Sequence, residues 1–424
     1  MNNRSLLAIF VSCIIVIAGI VTIVYFTKPE TNINISTQIP LADDSNATAE
    51  SVSLLVDSIN DFSFNFYKQI SSKEDGNVFF SPYSIFVAFS MAYEGARGNT
   101  AIEMQNVLNI LQNDSSTLGS FGRIYNLLNQ KQEGYTISTA NAFWAHQNYE
   151  FLSDYLNLLQ NFYMAEANEL DFGNNIEAAE IINTWIEEKT NDKIKDMIDA
   201  SMLSDFTKMV LTNAIYFKGD WANPFDPENT FETDFSLDSD EPVKIDMMEN
   251  ADSDFNYTET EDLQILELQY FGNDLSMIIV LPKENSISIA ENKINAENLS
   301  AWKDNLIQGD IIVQIPKFKF EKKYSLNNIM RQMGIIDAFE PDIADFSGMD
   351  GTKWLFISEA IHQSFIEVNE EGTEAAAATA IVMEATHIPE YKEFIADHPF
   401  LFLIQHKETG AILFMGKVMN PAEN

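Results

Sequence analysis

Apolar residues recur along this chain at helical spacing in some stretches and at strand spacing in others, and the changes of period divide it into elements. Val52, Leu55, Val56, Ile59, Phe62, Phe66 and Ile70 fall on one face of a helix. Gly76 and Asn77 punctuate it. Residues 77–86 predict a short strand turning into a buried helix that ends at Gly95, with Ser81 as N-cap and Pro82 in the first helical position. Thr100 and Glu103 stand at capping-box spacing and predict a further helix through Val107 and Leu108. Residues 136–144 alternate as a strand, 151–163 repeat as a helix, and 181–198 carry Trp185, Ile186 and Ile194 among charges, as a surface helix would. Residues 210–218 are nearly unbroken in apolar character, the pattern of a strand buried on both faces, and end in a turn before Trp221. A strand, turn and strand follow around residues 270–274. Residues 311–320 read as one strand, 326–333 as a helix stopped by Gly334, 355–366 as a strand, and 401–405 with 412–417 as a C-terminal hairpin. Strands and helices are mixed rather than alternating, and no fixed-period repeat is present, which predicts an α+β fold.

One stretch fits no single element. From Thr373, alternate positions are Thr373, Ala375, Ala377, Thr379, Ile381 and Met383, all small or apolar, while Glu374 and Glu384 fall on the other face. A strand with one buried face is thus encoded. Yet Ala375–Ala378 favours helix over strand, and Gly372 and Pro389 flank the segment, so nothing local holds it extended. From these residues alone, an Ala-rich helix or a flexible linker is the commoner reading.

The surrounding residues change that picture. His362-Gln-Ser-Phe-Ile-Glu-Val-Asn-Glu-Glu-Gly-Thr-Glu-Ala-Ala-Ala-Ala-Thr-Ala380 resembles the hinge of the serpins. Asp397-His-Pro-Phe-Leu-Phe-Leu-Ile404, Phe414-Met-Gly-Lys-Val418 and Asn420-Pro421 resemble their C-terminal end, and the order strand, Ser-Pro, helix, Gly95-Ala-Arg-Gly-Asn-Thr100 is similar to their N-terminal half. The resemblance spans about residues 52–422. It implies a serpin fold of about three β-sheets surrounded by about eight or nine helices, with an exposed reactive-centre loop that a protease cuts and that then inserts into a β-sheet. By the family pattern the hinge is Glu370, Gly372, Thr373, Ala375, Ala376, Ala377, Ala378 and Thr379. The usual spacing puts the reactive bond between Thr386 and His387, with Ala385 and Glu384 as the next choices. Ser81, Ser84, Asn213 and His362 match a polar cluster beneath the sheet where strands part, and Trp221 also matches the pattern; these five form the expected sheet-opening set.

Composition narrows the partners. A formal net charge of −39 and a pI near 4.2 repel nucleic acid and anionic headgroups, so no nucleic-acid partner is expected. Leu6 to Phe26 is an apolar run with Arg4 before it and Lys28 after, about 30 Å long as a helix. It is too long for an ordinary signal-peptide core and lacks a small-x-small cleavage site. It predicts a transmembrane signal anchor over residues 1–28, a flexible tether over 29–51 and a folded domain over 52–424. The basic amino end would lie inside and the domain on the extracellular face, or secreted if the anchor is cleaved. Cys13 is the sole cysteine and sits mid-run, which is the wrong architecture for lipidation, and it leaves no intrachain disulfide.

Catalytic chemistry has no signature here. The five histidines, His146, His362, His387, His398 and His406, show no metal-ligand spacing, and there is no nucleophile elbow or phosphate-binding Gly-rich loop. Asp252, Asp254 and Asn256 begin like a calcium loop, but Tyr257 and Leu263 occupy the positions that need Gly and Glu. No enzyme, cofactor or metal is expected. His362, between Ile361 and the strand at Phe365, reads as a buried, hydrogen-bonded histidine. The resemblance therefore implies a monomeric suicide inhibitor of a serine-type protease, elastase-like or subtilisin-like from Ala385 and Thr386. The alternative is a non-inhibitory serpin serving as a surface binding or chaperone-like protein. Small residues at Thr373, Ala375, Ala377 and Thr379 favour the inhibitor, because non-inhibitory members tend to carry bulk, charge or Pro there.

Overall fold

A computed structural model describes residues 41–110, 114–129, 134–237, 241–251, 254–373 and 392–423. Among them are ten α-helices, one or two more than the resemblance implied, the shortest being the single turn Ser347–Asp350. None is long and apolar enough to cross a membrane. The expected anchor lies outside the described residues.

The first helix, α1 (Ala49–Ser71), starts three residues before the expected domain boundary because Thr48 and Ser51 form a reciprocal capping box. The expected tether also shortens from its far end. Ala42 is buried, its N–H and carbonyl both bonded to the Asn126 side chain at 2.8 and 3.0 Å, so residues 42–51 belong to the folded body. β1 (Val78–Phe80) and α2 (Pro82–Gly95) follow as expected, with Ser81 capping α2 through Ser84 N–H. α3 (Gly98–Leu108) departs from expectation. It begins before Thr100, and the supposed capping pair is spent on tertiary contacts: Thr100 Oγ1 accepts from Asp345 N–H, and Glu103 accepts from Ile336 and Asp337 N–H.

α4 (Ser115–Asn129), β2 (Tyr135–His146), α5 (Ser153–Leu158) with a wider turn over Leu159–Tyr163, and β3 (Glu166–Leu170) lead to α6 (Asn175–Lys189). α6 stops at Lys189, nine residues short of the reading from sequence. Asn191, Asp192 and Asp196 take left-handed φ angles, and the apolar Ile194 and Ile198 are buried by a loop instead. Next come β4 (Met209–Asp220), β5 (Phe231–Phe235), β6 (Val243–Asn250), β7 (Asp254–Glu259), β8 (Leu263–Gln269), β9 (Leu275–Pro282), α7 (Ile287–Lys293) and α8 (Ala296–Asp304). The single strand expected over 311–320 is two, β10 (Ile307–Pro316) and β11 (Phe318–Ser325), in different sheets. Pro316 has no N–H to give a ladder, Lys317 N–H makes the last bond to β6 at Asp246 O, and from Phe318 the chain pairs with β12 instead. α9 (Asn327–Met333), α10 (Ser347–Asp350), β12 (Ile357–Val368), β13 (Gly372–Thr373), β14 (Lys392–Ile395), β15 (Phe400–His406) and β16 (Ile412–Val418) complete the chain.

Three sheets result. The main one runs β11-β12-β13-β4-β2-β3, and β12 also pairs directly and in parallel with β4. A second runs β1-β16-β15-β9-β8-β7 into the first half of β10; the second half of β10 carries β6, β5 and β14 into a third. β4 shows why its sequence is apolar throughout. Leu211, Ile215 and Phe217 face the principal core, where α1 and α2 pack, while Val210 and Ala214 join Ala140, Trp144 and Ile361 in a smaller core under α6. The strand is covered on both faces, as predicted.

Candidate functional site

Two features converge on the seam where β12 lies against β4. This parallel pairing runs from Ile357 opposite Met209 to Phe365 opposite Tyr216, with His362 directly opposite Asn213 in the middle. Asn141 on β2 is opposite Asn213 on its other side. All three side chains point to the principal-core face and meet the N-terminus of α2. His362 Nε2 accepts from Ser81 N–H at 3.0 Å, so Nδ1 carries the proton and donates to Asn213 Oδ1. The Asn213 amide in turn donates to Ser84 Oγ and Asn141 Oδ1, both at 2.5 Å, and Ser84 Oγ donates to Asn141 Oδ1 at 3.2 Å. Ser81 Oγ donates to Leu413 O at 2.6 Å. Ser81, Ser84, Asn213 and His362 are buried and Asn141 is partly so; burial pushes His362 down to about 3, so the imidazole is neutral. The expected reading of His362 as a buried, hydrogen-bonded residue therefore holds.

The structure brings Ser81, Ser84, Asn213 and His362 into one hydrogen-bonded group and adds Asn141, which the sequence reading did not include and which shares two hydrogen bonds with them. Its only signal was a polar residue which, with Thr139, interrupts an apolar alternation on the inward side of β2. Trp221 does not join the cluster. It lies eight residues past Asn213, just beyond the end of β4 and about 26 Å away at strand rise, and belongs to the second feature.

That feature is the hinge. β12 ends at Val368, and residues 369–371 turn through Asn369, whose Oδ1 accepts from Glu371 and Gly372 N–H. The chain then enters the sheet as β13, antiparallel to both neighbours: Thr373 is opposite Val368 of β12 and Gly219 of β4, and Gly372 is opposite Asp220. The approach is close enough to demand glycine, since a Cβ on Gly372 would stand 2.0 Å from Gly219 O. Thr373 is buried and shares a 2.9 Å hydrogen bond with Tyr270. Trp221 holds the turn from outside. Its N–H donates to Glu371 O at 2.8 Å, its Nε1 to Asn369 O at 3.1 Å, and its ring stacks on Tyr270 at 4.6 Å. Glu370 is fastened too: its carboxylate accepts from Thr230 Oγ1 at 2.8 Å and pairs with Lys317 at 3.0 Å. Burial works to raise the Glu370 pKa, but hydrogen bonds from its own N–H, Lys317 and Thr230 outweigh it and keep the carboxyl below its usual range.

A family model described as Serpin (serine protease inhibitor) matches residues 57–421. The chain belongs to the serpin family. An uncharacterized serpin-like protein of Methanosarcina acetivorans is 42% identical over 364 residues, 85% of each chain. The leukocyte elastase inhibitor of Xenopus tropicalis is 40% identical over 374 residues, 85% of this chain and 97% of that one. Among solved structures, Serpin48 of the insect Tenebrio molitor, described as a highly specific serpin, superposes with a TM-score of 0.79 at 34% identity, covering 86% of this chain and 98% of that one. In this serpin, the expected hinge residues Glu370, Gly372 and Thr373 lie in the turn and short strand described above. The other residues expected in the hinge, Ala375, Ala376, Ala377, Ala378 and Thr379, and those expected at the reactive bond, Glu384, Ala385, Thr386 and His387, lie outside the described residues. Among the described residues, no group of three or more His, Cys, Asp or Glu side chains could hold a metal ion.

Proposed function

We propose that this serpin inhibits serine-type endopeptidases as a suicide substrate. β13 carries the reading: two hinge residues already lie between the ends of β12 and β4, aligned as an inserted strand must be, at the head of a seam that a longer strand would open. The protease serine attacks the carbonyl carbon of the reactive bond, Thr386–His387 by count. An acyl ester forms, the amide bond breaks, and the amino group of His387 leaves with a proton. Residues 373–383 then extend β13 along the seam, about 36 Å at strand rise. The tethered enzyme is dragged with them before water can deacylate it.

The cluster suits this motion. Insertion separates His362 from Asn213, and each can find a new partner among hydroxyl and amide groups, whereas an interlocked apolar seam would resist parting. Small side chains at Ala375 and Ala377 speed entry, and trapping is a race against hydrolysis. Ala385 and Thr386 suit a protease with a small apolar specificity pocket, elastase-like or subtilisin-like, and the elastase-inhibitor relative points the same way. The apolar run from Leu6 to Phe26 would tether the monomeric inhibitor to the extracellular face of the membrane.

Incubation of the full chain with a panel of serine proteases tests the proposal. An inhibitor gives a band at the summed mass that survives denaturing electrophoresis, together with a released C-terminal fragment beginning at His387. Cleavage in the loop with no such band for any protease would instead assign the non-inhibitory alternative.

A further inference from the structure

Beside the hinge lies a cavity of about 250 Å³ whose lining includes Trp221, Asn223, Asp254, Asn256, Glu267 and Gln308. Its chemistry is one-sided. Glu267 reaches it from β8 with only 6% of its surface exposed, and one carboxylate oxygen accepts from Asn256 Nδ2 at 2.7 Å. Among the described residues no cation pairs with Glu267. Lys303 is near enough for Glu267 to favour its charge, but burial is the larger influence and lowers it, and its ammonium donates to Gln405 Oε1 at 2.9 Å. On the same wall Asp254 of β7 stands opposite Asp310 of β10, and the nearby Asp310 carboxyl raises the Asp254 pKa, so these strands set two acidic groups side by side. A buried carboxylate with a neutral hydrogen-bond partner, beside two crowded acidic groups, is an arrangement that a cation completes.

We propose that this cavity binds an organic cation that bears N–H donors, a guanidinium or primary ammonium group. The lining selects for that class. Carboxylate oxygens and the amide oxygens of Asn223, Asn256 and Gln308 accept hydrogen bonds, the Trp221 indole offers an aromatic surface, and the volume exceeds what a bare ion needs. Occupancy also reaches the hinge, because the same Trp221 donates to the carbonyls of Asn369 and Glu371 and stacks on Tyr270, the partner of Thr373. A bound cation stiffens that wall and favours β13 as it stands. The binding claim does not depend on inhibition and is read separately from it.

Isothermal titration of the full chain with arginine methyl ester tests it, in 0.15 M salt so that attraction to the acidic surface is screened. The expected result is one saturable site, with tetramethylammonium, which has the charge but no donors, failing to compete. Glu267→Gln keeps an acceptor for Asn256 and should weaken binding at least about tenfold, the cost of one charge-assisted contact. Should that variant fold poorly, Asp254→Asn, at a more exposed position, should weaken binding in the same direction. Equal binding of tetramethylammonium, unchanged affinity in both variants, or no saturable site would overturn the proposal.

Discussion

At the scale of single residues, two positions carry testable weight. His362 has only uncharged neighbours in its cluster, Ser81, Ser84, Asn141 and Asn213, so its titration reflects burial. Its folded pKa of about 3 lies below the unfolded value near 6.5. Between those values the unfolded chain binds a proton that the native state excludes. Stability is therefore intact above about pH 6.5 and is lost as the pH falls, by about 1.4 kcal/mol per unit, until the native imidazole also protonates. Urea melts between pH 7 and 4 should show this slope, and His362→Ala should flatten it. The same variant leaves Asn213 Oδ1 and Ser81 N–H unsatisfied and should cost about 2–4 kcal/mol. The fold should survive, while spontaneous loop insertion on heating, followed as loss of inhibitory activity, should speed up. Gly372 is the second position. Gly372→Ala would drive a methyl into Gly219 O, so β13 should detach, and amide exchange at Thr373 should rise well above that of the parent protein. His362 and Gly372 were legible in the sequence through a familiar motif. Asn141 was not, because its partners come from β4 and α2, distant in sequence.

At the scale of elements, the loop and the seam must be judged together. Residues 373–383 have a strand's alternation without a strand's local preferences, and in the proposed mechanism they gain partners only once β12 and β4 separate. Ala377→Arg places a long cation on the face that would be buried. The expected outcome is a chain cleaved as a substrate, with stable complexes on denaturing gels reduced at least about tenfold; an undiminished complex band would count against insertion. Periodicity served well for β4, α1 and the C-terminal hairpin, where burial and period agree. It failed where a tertiary contact recruits a local signal, as when Thr100 and Glu103 serve Asp345, Ile336 and Asp337 rather than the start of α3. It failed again where one apolar run serves two sheets, as at Pro316, and where a loop rather than α6 buries Ile194 and Ile198.

At the scale of the whole molecule, β13 enters the main sheet at one end and the β12–β4 pairs close the sheet below it, so an added strand has to part them. Adding about ten ladder hydrogen bonds at about 1 kcal/mol each should raise the melting temperature of the loop-cleaved molecule by at least about 10 °C over the intact one. Calorimetry on both forms checks this, and equal midpoints would remove the stored energy on which the proposed inhibition depends. The amino-acid sequence alone determined the α+β class, the two-sided burial of β4, the family resemblance and the small-residue face of the loop, because these follow from composition and spacing along one strand or helix. The tertiary structure alone decided that the hinge is already two residues into the sheet, that His362 and Asn213 face each other across the seam, and that Trp221 braces the hinge rather than the cluster. Those relations join strands far apart in the chain, and only their packing fixes which side chains meet.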